Sequence, residues 1–149
     1  MKIRTGFGFL LLFFLSGCIS QDPVEIHLHS EECAHCKMVI SDRQFASQMV
    51  SEKGKAYLFD AVECLVAFTI QNPEMAKTAA IYLPDYSDPG SWILLDNAVI
   101  NRSPEVKSPM GLSLFVLSQN DTATDLYEDT RQLTWDETLQ LVKNEWNVQ

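Results

Sequence analysis

Positive charge is scarce in this chain: 11 Lys and Arg stand against 20 Asp and Glu in 149 residues, a formal net charge of −9. An acidic surface repels phosphate backbones and anionic headgroups, which disfavours anionic lipid and points to no nucleic-acid partner. Long apolar runs are also missing. The longest, Phe7–Leu15, falls far short of the roughly 20 residues that cross a bilayer as a helix. There is no Ser-His-Asp set, no glycine-rich phosphate loop and no pair of carboxylates at useful spacing, which removes the hydrolase and kinase classes. What remains is a chain read as a non-enzyme, with 4 cysteines, 5 methionines and 3 histidines as its chemically distinctive side chains.

Residues 1–17 read as a secretory leader: Lys2 and Arg4 supply a short positive region, Phe7–Leu15 the apolar core, and Leu15-Ser16-Gly17-Cys18 the close. The last four residues look like a bacterial lipobox, which implies cleavage before Cys18 and lipid on its sulfur. Ile19-Ser20, directly after Cys18, contain no Asp, which by resemblance to Gram-negative lipoproteins points to an outer-membrane anchor facing the periplasm. Loss of Lys2 and Arg4 leaves the mature chain more acidic still. Residues 18–32 read as a polar tether carrying His27 and His29, and 33–149 as one ordinary domain. With Cys18 lipidated, Cys33, Cys36 and Cys64 remain. An odd number of thiols in an oxidising compartment leaves at least one without an intramolecular partner. Either Cys33 and Cys36 form a disulfide, or thiols are kept reduced or guarded by metal.

Cys33-Ala34-His35-Cys36-Lys37-Met38 is the densest chemistry in the chain. Four readings compete for it. A thioredoxin-like Cys-x-x-Cys belongs at the start of a helix after a strand, and no βαβ pattern surrounds this one. Covalent haem needs His directly after the second Cys, where Lys37 stands. Structural zinc needs a second Cys or His pair, absent downstream, although the nearby histidines leave zinc open. Cu(I) takes few, soft ligands, and thiolates with thioethers provide them. Cys36 and Met38 face the same way on an extended segment. Met110, between Pro109 and Gly111, sits in a turn expected to expose its side chain, whereas Met49 and Met75 read as core. Cys64, on an apolar helical stripe, reads as a buried small hydrophobe.

Around this cluster the chain predicts strands over 45–50 and 55–59 joined by a Gly54 hairpin. A helix should open at Asp60, with Glu63 completing a capping box, and end at Asn72-Pro73. Further strands are expected over 78–83, 92–95, 97–100 and 112–117, with loop or weak helix over 120–131. A last amphipathic helix should start from a Thr134–Glu137 capping box. Strands with short links and interspersed helices favour α+β over a parallel sheet.

In order, the lipobox, Cys33–Asp42, Tyr57-Leu58-Phe59-Asp60 before Cys64-Leu65, Trp92, and Ser108-Pro109-Met110-Gly111 before an apolar strand resemble the NosL family. Its members are copper-binding lipoproteins associated with maturation of nitrous oxide reductase. The resemblance implies a small α+β domain of two ββαβ-like units and a Cu(I) site built from a Cys and a Met. It also implies copper delivery to apo nitrous oxide reductase or another exported copper protein. Carried over by position, Cys36 is the thiolate and Met110 the distal thioether. Met38 and Cys33 are second choices, and His35 or a tether histidine a further ligand. Lys37 departs from the family's Gly, and since Gly accepts backbone angles that Lys avoids, the loop is expected to differ locally. Two rival functions follow from the same residues: a thiol-disulfide reductase using both Cys33 and Cys36, or an assembly factor without metal, stapled by a Cys33–Cys36 disulfide.

Overall fold

The computed structural model describes residues 19–149, so the leader and the lipidation expected at Cys18 lie outside the described residues. Two antiparallel hairpins organise the chain. β1 (Ser47–Val50) pairs with β2 (Ala56–Phe59) in register Ser47 to Phe59 and Val50 to Ala56. Their turn closes through the Gly54 amide onto the Ser51 carbonyl at 2.8 Å, with Gly54 at φ +74°, an angle that costs glycine nothing. The chain then forms α1 (Val62–Gln71) and the short α2 (Pro73–Ala76), and returns as β3 (Ala80–Pro84) beside β1. β4 (Trp92–Leu94) completes a sheet of order β2-β1-β3-β4. β5 (Ala98–Arg102), β6 (Leu114–Ser118) and β7 (Arg131–Leu133) make the second sheet, of order β6-β5-β7, and α3 (Trp135–Trp146) ends the fold. The expected α+β architecture is borne out. The first half runs β-β-α-β, and the second runs β5-β6-β7 with its helix last.

α1 lies against β1, β2, β6 and α3, and so occupies the middle of the molecule. Seven of its ten residues are buried, Val62 to Ala67 and Thr69. Around it Met49, Phe59, Leu65, Leu83, Leu114 and Val142 are fully enclosed. Each such side chain contributes about 1.5–3 kcal/mol relative to exposure.

Two local expectations are corrected, and the choice left open over 120–131 is settled. Asp60 does not cap α1: the residue before the helix is Ala61, and no side chain bonds the first turn. Asp60 Oδ1 instead accepts the Ser41 amide at 3.1 Å, a long-range tie that outcompetes the local one. Residues 120–131 hold a single 3-10 turn, Ala123–Asp125, pinned where the Tyr127 and Tyr86 hydroxyls meet at 2.8 Å. Finally, from Gln21 the stretch expected as a tether is docked. Gln21 Nε2 donates to the Val50 and Thr78 carbonyls, Gln48 Nε2 and Oε1 bracket Val24, and Ile26 is buried.

Candidate metal centre

The Cys33–Met38 loop is a tight hairpin held by main-chain bonds. Glu32 bridges Val39, the Cys33 amide donates to the Met38 carbonyl at 2.8 Å, and the Lys37 amide donates to the Cys33 carbonyl at 3.1 Å. The Ala34 amide donates to the Leu58 carbonyl at 2.7 Å, which fastens the loop to β2. β2 leads directly into α1, whose third residue is Cys64. The result is that the sulfurs of Cys33, Cys36 and Cys64 all lie within 4.8 Å of one another. All three are free thiols, so the disulfide considered for Cys33 and Cys36 is not formed. Cys33 and Cys64 are fully buried, and Cys36 alone is partly exposed.

The protons of this cluster are unevenly held. The Cys64 thiol donates to the Cys33 sulfur and holds the Cys33 pKa well below the ordinary thiol value, against the effect of burial. Amides of Asp60, Cys36 and His35 add to this, the Cys36 N–H at 3.5 Å from the sulfur. Cys64 is pushed far up as the donor, and Cys36 is raised by burial. Three sulfurs gathered in a largely enclosed site are a soft, polarizable donor set. Sulfur-to-metal bonds of about 2.3 Å put three sulfurs around one ion about 4.0 Å apart, and the trio already lies within 4.8 Å before any metal arrives. Among the described residues no imidazole or carboxylate shares that mutual spacing.

The other expected site residues fall as follows. Met38 is 47% exposed on the far limb of the hairpin. His35 stacks on Trp146 of α3, ring centroids 6.1 Å apart and planes 10° apart. His27 and His29 are exposed in a turn where His29 takes φ +63°, not on an extended segment. Met110, expected to be exposed, is half-buried and packs against both apolar clusters of the protein. Its turn is tied to α1, because the Ser108 hydroxyl donates to Oε1 of Glu63, the residue before Cys64. Lys37 is the position at which the loop was expected to differ. It adopts φ +66°, the left-handed region open to glycine, and its Nζ donates to the Ala34 carbonyl at 2.8 Å.

A sequence model of the NosL family matches residues 23–132, which include all three thiols and Met110. The chain belongs to the NosL family. Among solved structures, the crystal structure of the copper chaperone NosL from Shewanella denitrificans is similar, with a TM-score of 0.62 over 79% of this chain and 96% of that one. Identity over that span is 19%, so the likeness speaks for the fold. No curated protein sequence matches. α3, with Trp146, lies beyond the NosL-matching span.

Cys64 is the residue that sequence reasoning assigned differently. It is core, as expected, and it is also the third sulfur of the cluster. Nothing in its local spacing marks it. The available signal was Phe59-Asp60 followed by Cys64: a strand end that receives the thiol loop, then a helix start that points back at it.

Proposed function

We propose that this NosL-family protein binds Cu(I) at its sulfur cluster and passes it on as a metallochaperone, serving the copper centre of nitrous oxide reductase. The observation that carries the reading is the trio of free thiols within 4.8 Å, two enclosed and one at the surface. Such a set suits a soft monovalent ion. Membership of the family and the fold shared with a copper chaperone support it. Cys36 is the point of entry and exit. Met110 is the thioether donor, and Met38, exposed beside Cys36, is a transient stop. Transfer is ligand exchange without change of copper oxidation state: an incoming sulfur or imidazole bonds to copper, and the Cys36 thiolate leaves. Lipid on Cys18 would keep the carrier at the outer membrane, facing the periplasm where apo-enzyme is found.

The reductase reading fares worse. An attacking thiol needs both thiolate character and access. Here Cys33 has the lowered pKa and no exposure, while the accessible Cys36 is raised.

The test is anaerobic Cu(I) titration against a competing chelator, with X-ray absorption at the copper edge. One Cu(I) per chain in an all-sulfur shell is expected, with at least about a hundredfold loss of affinity in Cys36→Ser and in Cys64→Ser. A shell dominated by nitrogen or oxygen, or copper lost outright to the chelator, overturns the reading. Transfer from the loaded protein to apo nitrous oxide reductase, against transfer to an unrelated apo copper protein, tests the client.

A further inference from the structure

We infer that Glu63 is a positioning residue: it fixes the Met110 turn against the helix that carries Cys64, and so decides whether a thioether joins the thiols at the metal. The inference rests on the copper-binding reading above.

Glu63 is fully buried. It has no cationic partner; the ion pairs among the described residues are Lys77–Glu74 and Arg131–Glu137, both exposed. Burying a carboxyl without a countercharge is costly, and here Oε2 has no hydrogen-bond partner. An apolar residue at this point of a packed helix would avoid that cost. The carboxyl is instead aimed at one loop. Its Oε1 accepts from the Ser108 hydroxyl, and the amides of Leu112 and Leu114 face it. Ser108 Oγ in turn accepts the Ser113 amide at 2.9 Å. These contacts bracket Pro109-Met110-Gly111 on both sides.

The bracketed turn needs such a hold. Gly111 has φ +84°, and a side chain added there would meet nothing within 4 Å. Ser113 has φ +62°, a left-handed angle that is unfavourable for a non-glycine residue. Strained backbone persists where its surroundings over-determine it. Glu63, through Ser108, provides that surrounding, and it does so from the position adjacent to Cys64.

The chemical stake is selectivity. Among the described residues Met110 is the only methionine of the second half, since Met38, Met49 and Met75 belong to the first. Three thiols alone make a set that zinc also accepts, whereas zinc sites do not draw on thioethers. A thioether held in place therefore favours Cu(I) over Zn(II).

The test compares Ser108→Ala, Glu63→Gln and Met110→Leu by competition titration with Cu(I) and with Zn(II), and by counting copper-bound sulfurs from X-ray absorption. Ser108→Ala should lose about tenfold in Cu(I) affinity with Zn(II) affinity unchanged, and one sulfur from the shell, matching Met110→Leu. The double variant should lose no more than either single one. Glu63→Gln keeps an acceptor oxygen for Ser108 and should behave as the unaltered protein. Should Ser108→Ala fail to fold, Glu63→Leu removes the carboxyl and its desolvation cost together, and should give the same loss. The inference is overturned if Ser108→Ala, or Glu63→Leu in its place, keeps the original Cu(I)-to-Zn(II) ratio while Met110→Leu lowers it. It is equally overturned if Met110→Leu changes nothing while Cys36→Ser still abolishes binding, a result that leaves the copper reading standing. Failure of the unaltered protein to bind Cu(I) removes both.

Discussion

The two long helices of this protein are made by opposite means. α1 has ten residues, seven of them buried, and no side chain capping its start. α3 has twelve residues, of which only Thr138 and Val142 are buried, and a complete capping box. Thr134 Oγ1 accepts the Glu137 amide at 3.2 Å, and Glu137 Oε2 accepts the Thr134 amide at 2.8 Å. α1 is therefore held by what surrounds it, α3 by its own sequence. Cys64 sits on the first kind of helix, so its sulfur is located by the whole core rather than by local propensity. Trp146 sits on the second kind, and its ring stacks on His35 of the thiol loop.

That contrast can be broken from either side. The largest effect is expected from Leu65→Ala, which opens a cavity in the fully buried face of α1 and should cost about 3 kcal/mol in chemical denaturation. Because the same packing locates Cys64, copper affinity should fall with it. A variant that melts early but binds copper unchanged would refute the claim that the core sets the sulfur spacing. Thr134→Ala removes the cap of α3 and should cost about 1 kcal/mol, with the copper titration unaltered. Smaller again, and of opposite sign, Lys37→Gly relieves the left-handed backbone while giving up one exposed hydrogen bond. It should stabilise the protein by about 0.5–1 kcal/mol, read as an upward shift in the denaturation midpoint.

The smallest difference is one of pH. Bonding to the Thr134 amide and hydroxyl, and then to Arg131, lowers the Glu137 pKa below its ordinary 4.5. A depressed carboxyl contributes stability above that ordinary value and loses it as pH falls through the folded-state value. Amide exchange in the first turn of α3, corrected for intrinsic rate, should quicken as pH falls below 4.5, while the first turn of α1 shows no such acid loss.

How much of this was legible in the sequence follows the same division. The Gly54 hairpin and the Thr134 cap were readable because the residues that make them are neighbours in the chain. The Asp60 cap was misread because its oxygen is taken by the Ser41 amide, brought near only by the fold. β7 was not anticipated: it has three residues, two of them exposed, and exists because β5 offers it an edge. The site divides likewise. Cys33 and Cys36 were visible as a motif, whereas Cys64 joins them from 28 positions further along through the β2–α1 connection. The tie that brings Met110 to α1, Ser108 to Glu63, spans 45 positions and leaves no mark on local pattern.

The thiol loop is stitched by amides and carbonyls, from Cys33 to Met38, from Lys37 to Cys33, and from Ala34 to Leu58. Those stitches are made by the main chain, and only position 37, at φ +66°, carries a demand on residue type. Such a rim can change its surface chemistry by mutation while its sulfurs stay where they are.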